Sequence, residues 1–204
     1  MLQTENLSFR YTKETPLFHF PNITLENEED LLILGKSGVG KSTFLHLLSG
    51  LLVPQKGSVK IEGVDLLEMH NNQLDQFRGQ NIGLVFQKKH ALQSLTLYDN
   101  LKARLYFAKK YIDEKAIDIL LSQLDLMPHK NKKTNQLSEG QLQRLGIALA
   151  VVHQPKLILA DEPTSSLDDE NCKVVIKLLL NQAKKNKANL IVITHDQRIK
   201  TFFL

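Results

Sequence analysis

Gly35-Lys36-Ser37-Gly38-Val39-Gly40-Lys41-Ser42 satisfies every fixed position of the phosphate-binding pattern G-x-x-x-x-G-K-[ST]. The apolar run Leu31-Leu32-Ile33-Leu34 precedes it and reads as a buried strand, and Thr43-Phe44-Leu45-His46-Leu47-Leu48 follows as a helix. Strand, glycine-rich loop and helix in that order let backbone N–H groups and a helix N-terminus converge on phosphate oxygens. A glycine-rich turn with no ligand would not need all the fixed positions. The expected nucleotide cradle is Gly35, Lys36, Ser37, Gly38, Val39, Gly40, Lys41, Ser42 and Thr43. Lys41 is expected to reach the β- and γ-phosphates, and the Ser42 hydroxyl to ligate Mg²⁺.

Such a loop says only that a nucleotide binds. Leu157-Ile158-Leu159-Ala160-Asp161-Glu162 narrows the chemistry, because it is an apolar strand that ends in two carboxylates. Asp161 suits the Mg²⁺ side, and Glu162 suits an attacking water as general base. A plain strand running into a polar turn looks the same; the phosphate loop upstream favours the chemical reading. The chemistry these groups suit is hydrolysis of a nucleotide's terminal phosphate with Mg²⁺.

Composition sets the frame. The 204 residues are 42% hydrophobic and 24% charged, which fits one sizeable core. No apolar run approaches the length of a bilayer crossing, and residues 1–6 show no secretion signal. The single cysteine, Cys172, excludes an intrachain disulfide and suits a reducing compartment. Cys172 itself reads as inert helix packing. A cytoplasmic protein is expected, and any membrane-spanning part must then be another chain. The net charge of +4 comes with lysine clusters such as Lys130-Lys132-Lys133 and Lys184-Lys185-Lys187. Only 6% of residues are aromatic and none interleave with these lysines, so no nucleic-acid partner is expected. The seven histidines show no metal-ligand spacing.

Strands are expected over residues 3–9, 22–25 and 58–61, with a turn at 54–57. Residues 99–110 and 113–124 carry helical spacing. Strand–helix alternation resumes at Leu157. Ser138-Glu139-Gly140-Gln141 reads as a capping box, with Ser138 as N-cap and Gln141 reaching back. The pattern is an α/β nucleotide-binding core with an antiparallel β edge and an inserted helical subdomain over residues 88–135, all in one domain.

Leu137-Ser138-Glu139-Gly140-Gln141 also resembles the signature L-S-G-G-Q of ABC transporter ATP-binding subunits. The family's other motifs follow in order along nearly the whole chain. Gln87 after Ile82-Gly83-Leu84-Val85-Phe86 matches the Q-loop, Ser166-Leu167-Asp168 the D-loop, and His195 after Leu190-Ile191-Val192-Ile193-Thr194 the switch histidine. Tyr11 matches the aromatic residue that stacks on adenine. Phe77 to Gln87 and Ala160-Asp161-Glu162-Pro163-Thr164 resemble the lipoprotein-releasing, macrolide-exporter and cell-division types.

The resemblance implies a P-loop NTPase (RecA-like) core with an antiparallel β subdomain and an inserted α-helical subdomain, and hydrolysis of ATP with ATP and Mg²⁺ as cofactors. It implies that Gln87 and His195 join Lys41 and Glu162 in catalysis, with Gln87 near Mg²⁺ as well. Ser138, Gly140, Gln141 and Asp168 would close over the nucleotide of a second ATP-binding subunit, expected to be a second copy. A transmembrane permease is the other implied partner, touching residues 88–100, which puts the chain on the cytoplasmic face of the cell membrane. The alternative is a regulatory ATPase of the cell-division type that signals without moving cargo. Departures from the family pattern are Glu139 where glycine is usual, Leu149 where many relatives have arginine, Gln93-Ser94 beyond the Q-loop, and an end nine residues after His195.

Overall fold

A computed structural model describes residues 1–86, 91–165 and 167–203. The order begins with β1 (Leu2–Phe9), β2 (Phe18–His19), β3 (Thr24–Leu25), β4 (Asp30–Leu34), α1 (Lys41–Leu48), β5 (Lys56–Ile61) and β6 (Val64–Asp65). It continues with α2 (Asn71–Asn81), β7 (Ile82–Val85), α3 (Leu97–Phe107), α4 (Glu114–Gln123), α5 (Glu139–Val151), β8 (Leu157–Asp161), α6 (Asp169–Asn186) and β9 (Asn189–Thr194). Four strands form a parallel sheet in the order β4-β9-β8-β7. A second, antiparallel sheet runs β2-β1-β5-β6, with β3 also on β1.

The apolar strands β8 and β9 occupy the middle of the parallel sheet and are buried along their whole length. Alternation divides their side chains between two cores. Ile158, Ala160, Leu190 and Val192 face the helices α3, α4, α5 and α6. Leu157, Leu159, Ile191 and Ile193 face α1 and the antiparallel sheet. Each of these leucines and isoleucines contributes roughly 1.5–3 kcal/mol by leaving water, so Asp161 and Glu162 at the end of β8 rest on a fully buried strand.

Gly83 fixes how closely α5 lies on this sheet. A Cβ there would stand 2.1 Å from the Ala150 carbonyl oxygen. Gly83→Ala is therefore expected to destabilise the protein by about 3 kcal/mol through overpacking against backbone, measurable as a shift of the urea midpoint at unchanged slope.

Several elements differ from the sequence expectation. The strand expected at 22–25 shrinks to Thr24–Leu25, and β5 begins at Lys56, inside the expected turn. The helix expected over 99–110 runs Leu97–Phe107, with Thr96 as N-cap, its hydroxyl accepting from Asp99 N at 3.0 Å. Asp113 caps α4 by accepting from Lys115 N and Ala116 N. Helix α2 was not anticipated. It has no fully buried residue, and only Leu74 and Phe77 pack against the second core. Residues 91–136 hold α3, α4 and two short 3₁₀ turns, joined by one isolated bridge between Thr96 and Lys133.

Candidate functional site

The loop from Gly35 to Gly40 leaves the end of β4, where Gly35 N–H donates to Thr194 O at 3.1 Å and ties it to β9. Gly40 is the N-cap of α1 at φ +96°, a left-handed conformation open to glycine at little cost. A Cβ there would also meet the Phe18 ring at 3.0 Å. The helix thus starts at Lys41 with no side-chain cap on its first-turn N–H groups, an arrangement that favours anions.

Lys41 Nζ lies folded into this loop. It donates to the Gly35 carbonyl at 2.8 Å and the Lys36 carbonyl at 3.0 Å, and sits 3.5 Å from Glu162 Oε1. Both side chains of that pair are largely buried. Glu162 follows β8 at φ +48°, a left-handed conformation uncommon for a non-glycine residue. Its Oε2 accepts from Thr194 Oγ1 at 2.7 Å and from His195 N at 3.3 Å, and its Oε1 lies 2.9 Å from His195 Nδ1. Burial alone would raise the Glu162 pKa, but the hydrogen bonds from His195 and Thr194 outweigh it and hold the carboxyl below the ordinary glutamate value. The carboxylate therefore stays ionised at neutral pH between an ammonium and an imidazole.

Asp161, one residue earlier, points the other way. Burial pushes its pKa up, opposed by a hydrogen bond from the Ser42 side chain. Its Oδ1 is buried with no hydrogen-bond partner among the described residues. An orphaned carboxylate oxygen beside a serine hydroxyl fits a hard cation that takes oxygen ligands, as Mg²⁺ does. Among the described residues no group of three or more His, Cys, Asp or Glu side chains is arranged to hold a metal. A cation here would complete its shell with phosphate and water oxygens.

Tyr11 packs edge-on to Phe9, with ring centroids 4.9 Å apart, and its hydroxyl lies 2.9 Å from Thr43 Oγ1. The ring is exposed next to the first turn of α1. The structure thus gathers Tyr11, the loop, Lys41, Ser42, Thr43, Asp161, Glu162 and His195 at one end of the parallel strands, the usual ligand position for such a sheet. Gln87 lies outside the described residues, as does Ser166. Thr194 is the residue of this group that the sequence did not single out. Its only sequence signal is its place at the end of a buried strand, immediately before His195.

Ser138, Gly140 and Gln141 form a second group at the start of α5. Both halves of the capping box are present: Ser138 Oγ accepts from Gln141 N at 3.3 Å, and Gln141 Oε1 accepts from Ser138 N at 2.9 Å. The Gln141 amide Nε2 also lies 2.8 Å from His129 Nε2. A Cβ on Gly140 would touch nothing within 4 Å among the described residues, so their packing does not require glycine there. Asp168 is exposed and caps α6, accepting from Asn171 N at 2.8 Å and Asn171 Nδ2 at 2.7 Å.

Residues 18–165 match the family described as ABC transporter. The chain belongs to this family. It is 41% identical over 181 residues to the lipoprotein-releasing system ATP-binding protein LolD of Legionella pneumophila (strain Paris), covering 87% of this chain and 79% of that one. It is 35% identical over 206 residues to the methionine import ATP-binding protein MetN 2 of Pseudomonas syringae pv. tomato, covering 98% of this chain and 61% of the other. The fold superposes on the dimeric ATP-binding cassette MJ0796 in a post-hydrolysis state bound to ADP and Pi, with a TM-score of 0.87, 30% identity and coverage of 99% and 91%. The ABC subunit is thus a P-loop α/β protein whose family members bind and hydrolyse ATP. No helix among its described residues is long and apolar enough to cross a membrane.

Proposed function

We propose that this ABC subunit binds and hydrolyses ATP in two composite sites of a dimer and so powers a transporter whose membrane-spanning part is a separate permease. The observation that carries the reading is the convergence of Lys41, Asp161, Glu162 and His195 on one glycine-rich loop. Bound ATP supplies the phosphoryl group and Mg²⁺ neutralises its charge. The chain's residues bind and orient. The loop N–H groups and Lys41 hold phosphate oxygens, and Ser42 and Asp161 hold the cation, with Gln87 assigned beside them. Glu162 accepts a proton from water at its carboxylate, while Thr194 and His195 fix that carboxylate's direction. Tyr11 offers its exposed ring to adenine.

One copy leaves its α5 N-terminus, with Ser138, Gly140 and Gln141, facing outward. A capped helix start without a Cβ at Gly140 suits close approach to the partner copy's triphosphate. Asp168 is assigned to the same interface. The transport reading is preferred over the regulatory one because the relatives carry the names of lipoprotein-releasing and methionine-import systems. Those two cargoes differ in chemistry while the cassettes are alike, so cargo choice is assigned to the permease.

A cleft of about 430 Å³ between α2, β7, α3 and α5 supports the permease contact. Ala91, Leu92 and Asn100 line it, together with Arg104, Phe107 and Leu149. A peripheral position on the cytoplasmic face of the membrane, where ATP is available, goes with this reading. Co-expression with a candidate permease tests the reading. Co-purification and cargo-stimulated hydrolysis are expected; a subunit that hydrolyses ATP yet joins no multi-span protein would contradict the transport role.

A further inference from the structure

The turn after β9 carries a side chain that the functional reading leaves unused. Arg198, three residues past His195, spends its guanidinium on three chain segments at once. Nε donates to Asp196 Oδ1 at 2.9 Å and Nη2 to Asp196 Oδ2 at 2.8 Å, a two-pronged fit of planar fork to carboxylate. Nη1 reaches across to the loop after β8, donating to the Leu167 carbonyl at 3.1 Å, and to Asp169 Oδ1 at 2.6 Å at the start of α6. Nη2 also approaches the Thr164 carbonyl at 3.4 Å. Asp196 closes the arrangement, because its Oδ2 accepts from Thr164 Oγ1 at 2.8 Å. Thr164 and Asp196 are both buried.

This cluster continues into the hydrolytic site. The Asp196 N–H donates to Thr194 Oγ1 at 3.0 Å, and the same hydroxyl donates to Glu162 Oε2 at 2.7 Å. Arg198 thus grips the Asp196 side chain, and the Asp196 backbone N–H continues the path through Thr194 to the Glu162 carboxylate. The two loops joined this way leave adjacent parallel strands, β8 and β9. One carries Glu162 and the segment towards Asp168; the other carries His195.

We infer that Arg198 is a positioning residue for ATP hydrolysis, a brace that locks the loop after β8 to the loop after β9 and so holds Glu162 and His195 in register. The inference rests on the functional reading above. Lysine cannot replace it, since a single ammonium does not span a carboxylate and carbonyls of a second segment in fixed geometry. The Arg198 guanidinium also holds the Asp196 carboxyl well below the usual aspartate range, so the brace stays ionised on both sides at working pH. The Asp169 arm is different. Its side chain is 78% exposed, so that contact adds little.

The test compares wild type with Arg198→Ala, Arg198→Lys and Asp169→Ala, each assayed well below its own unfolding midpoint. Displaced catalytic groups cost rate rather than affinity. Arg198→Ala and Arg198→Lys are each expected to lower kcat about tenfold or more, with KM for Mg-ATP within about twofold. Added guanidinium ion should restore part of the rate to Arg198→Ala and none to wild type, and Asp169→Ala should behave as wild type. An unchanged kcat in Arg198→Ala, full activity in Arg198→Lys, or a parallel loss of kcat and nucleotide binding would overturn the brace while leaving the ATPase reading intact. A wild type that binds but never hydrolyses Mg-ATP would overturn both. Should Arg198→Ala fail to fold, Arg198→Lys alone decides, since it keeps the charge and loses only the fork.

Discussion

Glu162→Gln is expected to lower ATP turnover by at least about a hundredfold while ATP binding is retained, the loss typical of removing a general base. The amide keeps the shape of the carboxylate, and Thr194 Oγ1 still has an oxygen to donate to. What disappears is the negative charge lying 2.9 Å from His195 Nδ1 and 3.5 Å from Lys41 Nζ. Three consequences follow. Water loses its proton acceptor. Lys41 loses a competing anion and is freer to meet phosphate. The pocket no longer opposes a triphosphate with a buried charge of the same sign. Turnover and nucleotide binding measured on the same preparation separate these effects; normal hydrolysis by the variant would remove Glu162 from the reaction. The Glu162 pKa is lowered in the folded chain, so its contribution to stability is fully present above the ordinary glutamate value and is lost as pH falls through the folded value. The variant should accordingly show a shallower loss of stability in acid.

Lys41→Ala is expected to weaken ATP binding by about 1.5–3 kcal/mol, the range for a hydrogen bond to a charged group, or roughly 10- to 100-fold in Kd. The side chain also organises the loop without nucleotide, by bonding the Gly35 and Lys36 carbonyls. Its removal strands those two carbonyls and leaves Glu162 without its ammonium neighbour. A modest loss of stability without ATP should therefore accompany the loss of affinity. Calorimetric titration with Mg-ATP and a thermal melt without it measure the two parts. Wild-type affinity in the variant would refute the role given to Lys41.

Much of this site was legible in the sequence because its parts are local. The loop from Gly35 to Ser42 is one continuous motif, and the strand ends that carry Asp161, Glu162 and His195 follow apolar runs long enough to be read as strands. The capping box at Ser138 and Gln141 is likewise a four-residue pattern, found with both bonds in place. What escaped is non-local or weakly patterned. Strand β2 is two residues long and exists through pairing with β1. Helix α2 has no buried residue to impose a period. Thr194 meets Glu162, and Arg198 meets Thr164 and Leu167, across 32, 34 and 31 residues of sequence. No local rule reports such meetings, since they arise only when β8 and β9 lie side by side.

The central claim is that one chain holds half of each site, with Lys41 and Glu162 in one copy and Ser138, Gly140 and Gln141 supplied by another. Light scattering on the Glu162→Gln variant during size-exclusion chromatography tests this most directly, because hydrolysis cannot then dissolve the assembly. Without nucleotide the mass should be that of one 23.2 kDa chain, and with saturating Mg-ATP it should double. A variant that binds Mg-ATP yet remains at the mass of a single chain would contradict the composite site.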